Sequence, residues 1–222
     1  MVSSDNTETL QQQVVQSAVY RESLKGVTIY GVAGTNGSGK DSLMDLLVNQ
    51  GFLCFNTSNS LREISQAVFK SIDRGGNDAP LARVGNAFRT VYPGGMVELG
   101  LLKWWTWANA LPMELRPKGL VIGSIRGTGE AKRLHEFGGK LIVVDADPRV
   151  RYERLRGRGR ADDNVTFEQF VEKEAGDMAI GETDPTKVGM AAVIDMADIR
   201  IENNSNDIEA FSRLVKETLS LE

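Results

Sequence analysis

The chain has 222 residues, 41% of them hydrophobic and 25% charged, with a formal net charge of -4. That is enough chain to bury a full core as one α/β domain, or as one domain with a small inserted lid, and the composition is ordinary for a soluble globular protein. The acidic balance gives no general attraction to nucleic acid or to membrane surfaces, and no apolar run approaches the length of a membrane span. With Cys54 as its one cysteine the sequence has no intrachain disulfide and no cysteine-based metal site; Cys54 reads as a small core residue.

Residues 1–25 read as an appendage, either a helix with an apolar stripe at Leu10, Val14, Val15, Ala18 and Val19 or a tail without structure. The acidic, polar start argues against a secretory signal, so a cytoplasmic protein is expected. From residue 26 onward the chain reads as one domain.

The stretch from Val27 to Leu47 organises that domain. Val27, Ile29, Tyr30 and Val32 are the β-branched and aromatic residues of a buried strand, while Leu43, Met44, Leu46 and Leu47 have helical spacing. Between them Gly34, Thr35, Asn36, Gly37, Ser38, Gly39 and Lys40 fit the first seven positions of the phosphate-binding pattern G-x-x-x-x-G-K-[ST]. Glycines permit backbone angles that a Cβ forbids and let amides approach phosphate oxygens, and the helix that follows favours an anion at its N-terminus. The eighth position departs from the pattern. Asp41, followed by Ser42, stands where a hydroxyl would meet Mg²⁺, although a carboxylate can hold hydrated Mg²⁺ through water.

A short strand is expected at Phe52 to Phe55, then a helix capped by small polar residues around Asn56 to Ser60 and carrying Leu61, Ile64, Ala67 and Val68. Arg62 falls in that helix's first turn, where a cation opposes the dipole, so it reads as an anion contact or as a solvated arginine paired with Glu63 or Glu98. A helix over 81–91 carries Arg83 and Arg89, and another over 96–111 carries Trp104, Trp105 and Trp107, which cannot all face one side. Core or interface packing is the commoner use of such tryptophans.

Residues 119–125 read as a strand buried on both faces, which places Arg126 at the carboxyl edge of the sheet, where open α/β sheets bind ligands. His135, the one histidine, lies far from any nucleophile and reads as a surface residue. Residues 140–147 form a further strand. The densest basic segment follows it, Arg149 to Arg160, with Arg151, Arg154 and Arg158 near one helical face. Such a run is usually a solvated face, but after a strand of a phosphate-loop domain it looks like an arginine-bearing lid. A capped helix over 166–178, a polar loop, a last strand ending near Ile201 and a closing helix with Ile208, Phe211, Leu214, Val215 and Leu219 complete the chain. Alternation of β and α elements implies a parallel sheet of about five strands with helices on both faces.

Four segments together, GVAGTNGSGKDSL, NTSNSLREI, VDADPRVRYERLRGRGRADD and ADIRIENNSNDIEAF, resemble dephospho-coenzyme A kinases and related nucleoside monophosphate kinases, closest to a branch with GKD in the loop. The resemblance covers roughly residues 27–219 and implies a P-loop NTPase fold with an acceptor-binding helical region at about 56–115 and a lid at about 149–180. It implies ATP and Mg²⁺ as cofactors, a small nucleotide as substrate, no nucleic-acid or membrane partner, and a monomer or homodimer.

By the same resemblance the loop Gly34 to Ser42 and Asn203 bind ATP, and Arg62, Arg89 and Arg126 contact the acceptor. Arg154, Arg158 and Arg160 are lid arginines, and Lys40, Arg126, Arg154 and Arg158 carry the catalysis. Asp41 is the metal contact, with Asp145 and Asp147 as possible substitutes, because Gly123 stands where relatives often have an acidic residue. The expected activity is transfer of phosphoryl from ATP to a nucleoside or deoxynucleoside monophosphate. The alternatives are dephospho-coenzyme A kinase and a nucleotide-binding regulator with weak or lost catalysis. The absence of an N-K-x-D motif argues against a GTPase switch.

Overall fold

The computed structural model describes residues 21–71, 80–159 and 165–221. Most of the expected appendage, Arg160 of the expected lid, and Asp162 and Asp163 lie outside them. The described chain runs β1 (Thr28–Ala33), α1 (Lys40–Asn49), β2 (Leu53–Asn56), α2 (Thr57–Phe69), α3 (Pro80–Val91), α4 (Gly95–Trp107) and β3 (Gly119–Ile125). It continues through α5 (Thr128–Glu136), β4 (Lys140–Asp145), α6 (Pro148–Arg158), α7 (Phe167–Met178), α8 (Met190–Asp195), β5 (Ile199–Glu202) and α9 (Ile208–Leu219).

All five strands are parallel, in the order β2-β3-β1-β4-β5. β1 lies in the middle of the sheet, so the loop that leaves its carboxyl end is flanked by strands on both sides. Alternate side chains divide the core into two layers. Ile29, Ala33, Leu120, Ile122, Leu141 and Val143 pack with α4, α5 and α8 on one face. Tyr30, Val32, Val121, Ile142, Val144 and Ile201 pack with α1 and α9 on the other.

Local chemistry sets the helix starts. Asn56 accepts from the Ser58 amide, Asp147 from that of Arg149, and Asp207 from those of Glu209 and Ala210, while Thr166 and Gln169 form a capping box. Of the expected stripe on α9, Phe211, Val215 and Leu219 are buried, but Ile208 and Leu214 face solvent. Of the three tryptophans Trp104 is buried and Trp107 is 48% exposed, so the crowded helix does turn one ring outward. Among the described residues no helix is long and apolar enough to cross a membrane.

Candidate active site

The loop between β1 and α1 opens at the carboxyl edge of the sheet. Gly39 has φ +104°, and a Cβ there would run into the Asn203 side-chain amide, so only glycine fits. The loop closes on itself through the Ser38 amide and the Thr35 carbonyl, 3.4 Å apart. The Thr35 and Ser38 hydroxyls are buried, and neither has a hydrogen-bond partner among the described residues. An orphaned buried hydroxyl costs about 1–3 kcal/mol. Two of them in one glycine-rich loop fit a cradle built for an anion with oxygens to offer.

Lys40 begins α1 and folds its ammonium back onto the Thr35 carbonyl at 3.3 Å. Burial pushes its pKa down to about 8, with Asp41 and Asp177 opposing the shift and Arg126 and Arg158 adding to it. The charges of Arg126, at the end of β3, and of Arg158, at the end of α6, thus both bear on Lys40 in the loop. Asp41 is exposed in the first turn of α1, and Ser42 beside it is half-buried.

Arg126 leaves the sheet through a break in register. Val32 pairs with Gly123 and Ala33 with Ile125, so Ser124 is an extra residue, and it has φ +65°. Left-handed backbone at a non-glycine residue is strained, and such strain gathers at functional sites. Ser124 is held there by its hydroxyl, 3.3 Å from Asn56 Oδ1, and by its carbonyl, which accepts from the Thr57 hydroxyl at 3.2 Å. Glu130 fixes the turn that follows, its Oε2 accepting from the amides of Arg126 at 2.7 Å and Gly127 at 3.1 Å. The other oxygen of Glu130 accepts from Arg89 Nε at 3.1 Å in an ion pair that is almost fully buried. Arg89 thus stands behind Arg126 through one shared carboxylate. Nothing at sequence level singled out Ser124, Glu130 or Asp177; a lone acid in the first turn of a helix looks like ordinary dipole compensation.

Arg154 is spread over the outside of the loop. NH1 donates to the Gly37 carbonyl at 3.2 Å, NH2 to the carbonyls of Asn203 at 2.8 Å and Ser205 at 2.7 Å, and Nε to Asn206 Oδ1 at 3.0 Å. Asn203 is buried and donates from Nδ2 to the Ser38 carbonyl at 2.9 Å. Both residues consequently tie the phosphate loop to the turn after β5. Arg151, on the neighbouring face of α6, is buried; it donates to the Ala146 carbonyl and pairs through two nitrogens with Glu174 of α7. Arg62 lies apart, half-buried on α2, with NH1 donating to Asn59 Oδ1 at 2.8 Å. His135 meets Asp198 at 2.9 Å on the surface, away from this cluster.

Metal ligands are sparse. Among the described residues no group of three or more His, Cys, Asp or Glu side chains is placed to hold an ion. A Cβ at Gly123 would strike the sulfur of Met44, so the strand-end position that could carry an acid is filled from α1. Asp145 lies at the end of β4, 3.8 Å from Arg151 Nε, and Asp147 caps α6. Asp41, exposed in the first turn of α1, is a carboxylate that could hold a hydrated divalent ion through water.

A parallel five-stranded sheet with a phosphate loop at its centre is the fold of P-loop kinases. Shikimate kinase from Acinetobacter baumannii in complex with shikimate has this fold with a TM-score of 0.54 at 14% identity, covering 90% of this chain and 97% of its own. Shikimate kinase from Bacteroides thetaiotaomicron matches with a TM-score of 0.52 at 15% identity, over 87% of this chain and 99% of its own. In sequence the chain is similar to a UPF0200 protein of Pyrobaculum aerophilum, 27% identical over 204 residues, covering 87% of this chain and 97% of that protein. A UPF0200 protein of Sulfurisphaera tokodaii is 28% identical over 196 residues, covering 87% and 96%. No protein-family model matches the chain.

Proposed function

We propose that the protein is an ATP-dependent phosphotransferase whose acceptor is a small nucleotide, in the first place a nucleoside or deoxynucleoside monophosphate. The observation that carries this reading is a glycine-rich loop at the centre of the sheet whose Thr35 and Ser38 hydroxyls are buried without a partner among the described residues, with Lys40 folded onto it and the charges of Arg126 and Arg158 bearing on that lysine. Phosphoryl transfer needs donor and acceptor held in line and the charge on the moving group stabilised, which a cationic cluster of this kind supplies without a covalent intermediate. ATP, when bound, provides the phosphoryl group, and Mg²⁺ neutralises its oxygens.

In this reading the amides and hydroxyls of residues 34–42 bind the donor phosphates, and Lys40 swings from Thr35 to meet them. Arg126 and Arg158 face the transferred group and Arg62 the acceptor, while Arg89, buried against Glu130, supports Arg126 from behind. Arg154 and Asn203 hold the loop in shape. Dephospho-coenzyme A as acceptor is the alternative within the same chemistry.

Purified protein incubated with ATP, Mg²⁺ and a panel of nucleoside monophosphates, dephospho-coenzyme A and shikimate tests the proposal through acceptor-dependent ADP formation. Turnover with a monophosphate supports it; turnover with an alcohol acceptor alone overturns the choice of acceptor. Two observations favour a second reading, a nucleotide-binding regulator with weak catalysis: Met44 fills the space of a strand-end acid, and Asp41 replaces the metal hydroxyl. Tight ATP binding with no turnover at any Mg²⁺ concentration would select it.

A further inference from the structure

Arg126 donates from NH2 to Asp177 Oδ2 at 2.9 Å, and each side chain of the pair is 34% exposed. Asp177 sits in the last turn of α7, where a carboxylate faces the negative end of the helix dipole and is disfavoured by about 0.3–1 kcal/mol. An acid in that position is held by its cation rather than by its helix. Three residues earlier, on the same face, Glu174 anchors α7 to Arg151 in a pair whose side chains are only 5% and 16% exposed. The two pairs differ in kind. Breaking the buried one is costly, whereas a part-exposed pair exchanges partners at little cost.

The backbone of Arg126 is fixed on both sides, its amide by Glu130 and its carbonyl by the Gly189 amide at 3.0 Å. Only its guanidinium can change partner. The charges of Arg126 and Asp177 both bear on the Lys40 ammonium, in opposite senses.

We infer that the Asp177 carboxylate is a built-in competitor for the acceptor's anion at Arg126, seated there until a phosphate displaces it. A phosphate dianion offers the arginine fork more charge and more oxygens than a carboxylate does, and so displaces it; a neutral hydroxyl does not. When Asp177 is displaced α7 stays in place through Glu174. The displaced carboxylate turns to solvent, leaving a helix end that it disfavoured. This rests on the reading of Arg126 as an acceptor contact.

The test is calorimetric titration of the full-length protein with inorganic phosphate, with the loop saturated by a non-hydrolysable ATP analogue. Asp177→Asn removes the competing charge and keeps the shape. It is expected to bind phosphate about threefold to fivefold more tightly than wild type. On an Arg126→Gln background the same substitution is expected to give no gain. Equal or weaker binding by D177N, a gain that persists without Arg126, or no phosphate binding by either protein would overturn the inference. A purely structural pair would lower the melting temperature and leave anion affinity unchanged. If the phosphate titration behaves as expected but no acceptor is phosphorylated, the kinase reading fails alone; acceptor turnover with D177N affinity unchanged sinks only the role of Asp177.

Discussion

Asn203 and Gly39 meet so closely that the side-chain amide of the first occupies the space a Cβ on the second would need, while the same amide donates to the Ser38 carbonyl at 2.9 Å. The phosphate loop is therefore shaped from outside as well as by its own glycines. Gly39→Ala is expected to distort the loop, both through this contact and through its φ of +104°, and to abolish ATP binding in calorimetry. Asn203→Ala leaves room but removes the shorter of the two bonds to the Ser38 carbonyl, leaving Arg154 NH1 at 3.5 Å; it should cost about 1–2 kcal/mol in denaturant unfolding and weaken ATP binding without abolishing it.

Lys40 stores a charge where the fold alone does not favour one. Its pKa falls from 10.5 to about 8 because burial and two arginines oppose the ammonium. At pH 7 the ammonium is charged in both folded and unfolded chains, and the folded state carries the penalty. Between about pH 8 and 10.5 the unfolded chain binds the extra proton, so stability rises with pH in that window. Lys40→Met is expected to melt at a higher temperature than wild type at pH 7, with the difference shrinking from pH 8 to pH 10.5, and to show no acceptor-dependent turnover. A variant less stable than wild type at pH 7 would contradict the assigned environment.

The sheet, its parallel sense and the position of the loop were legible because β1, β3 and β4 are short apolar runs, the helices α2, α6, α7 and α9 start at polar caps, and the loop glycines have fixed spacing. Arg126 was placed by its position after a buried strand, and Arg158 by the basic run that follows another, but their joint bearing on Lys40 spans 118 residues of chain and no local pattern announces it. Other features depend on contacts that no local pattern announces. Arg154 falls on the same expected helical face as Arg158, yet four carbonyl or amide oxygens on the loop and the turn after β5 hold it. Ser124 lies inside a continuous apolar run and gives no sign of a bulge. Glu130 and Asp177 are acids among others on their helices, and their role comes from arginines 41 and 51 residues away.

Gly123 and Met44 form a second close pair, on the face of the sheet under α1. Gly123→Ala should overpack against the Met44 sulfur and cost about 1–3 kcal/mol. Met44→Ala opens a cavity at a buried position and should cost about 2–5 kcal/mol by itself. In the double variant the new methyl enters the vacated space, so the combined loss is expected to be smaller than the sum of the two. A double-mutant cycle in urea measures this coupling; strict additivity would mean that the two residues do not compete for one space.

Glu130 is the most concentrated single contact behind the site, accepting from two backbone amides and from the buried Arg89. Glu130→Gln keeps the size but removes the charge and replaces one acceptor oxygen with a donor. The result sets an NH₂ group against either Arg89 or the Arg126 amide. The expected loss is about 3–5 kcal/mol, the range for a buried pair deprived of one partner, read from urea midpoints at constant slope. Arg89→Met leaves Glu130 with its two amides and should cost less than E130Q, because the carboxylate keeps hydrogen bonds from the Arg126 and Gly127 amides. The order of the two losses is the informative result: if R89M is the more damaging, the carboxylate serves the ion pair, and the turn carrying Arg126 is held by something other than Glu130.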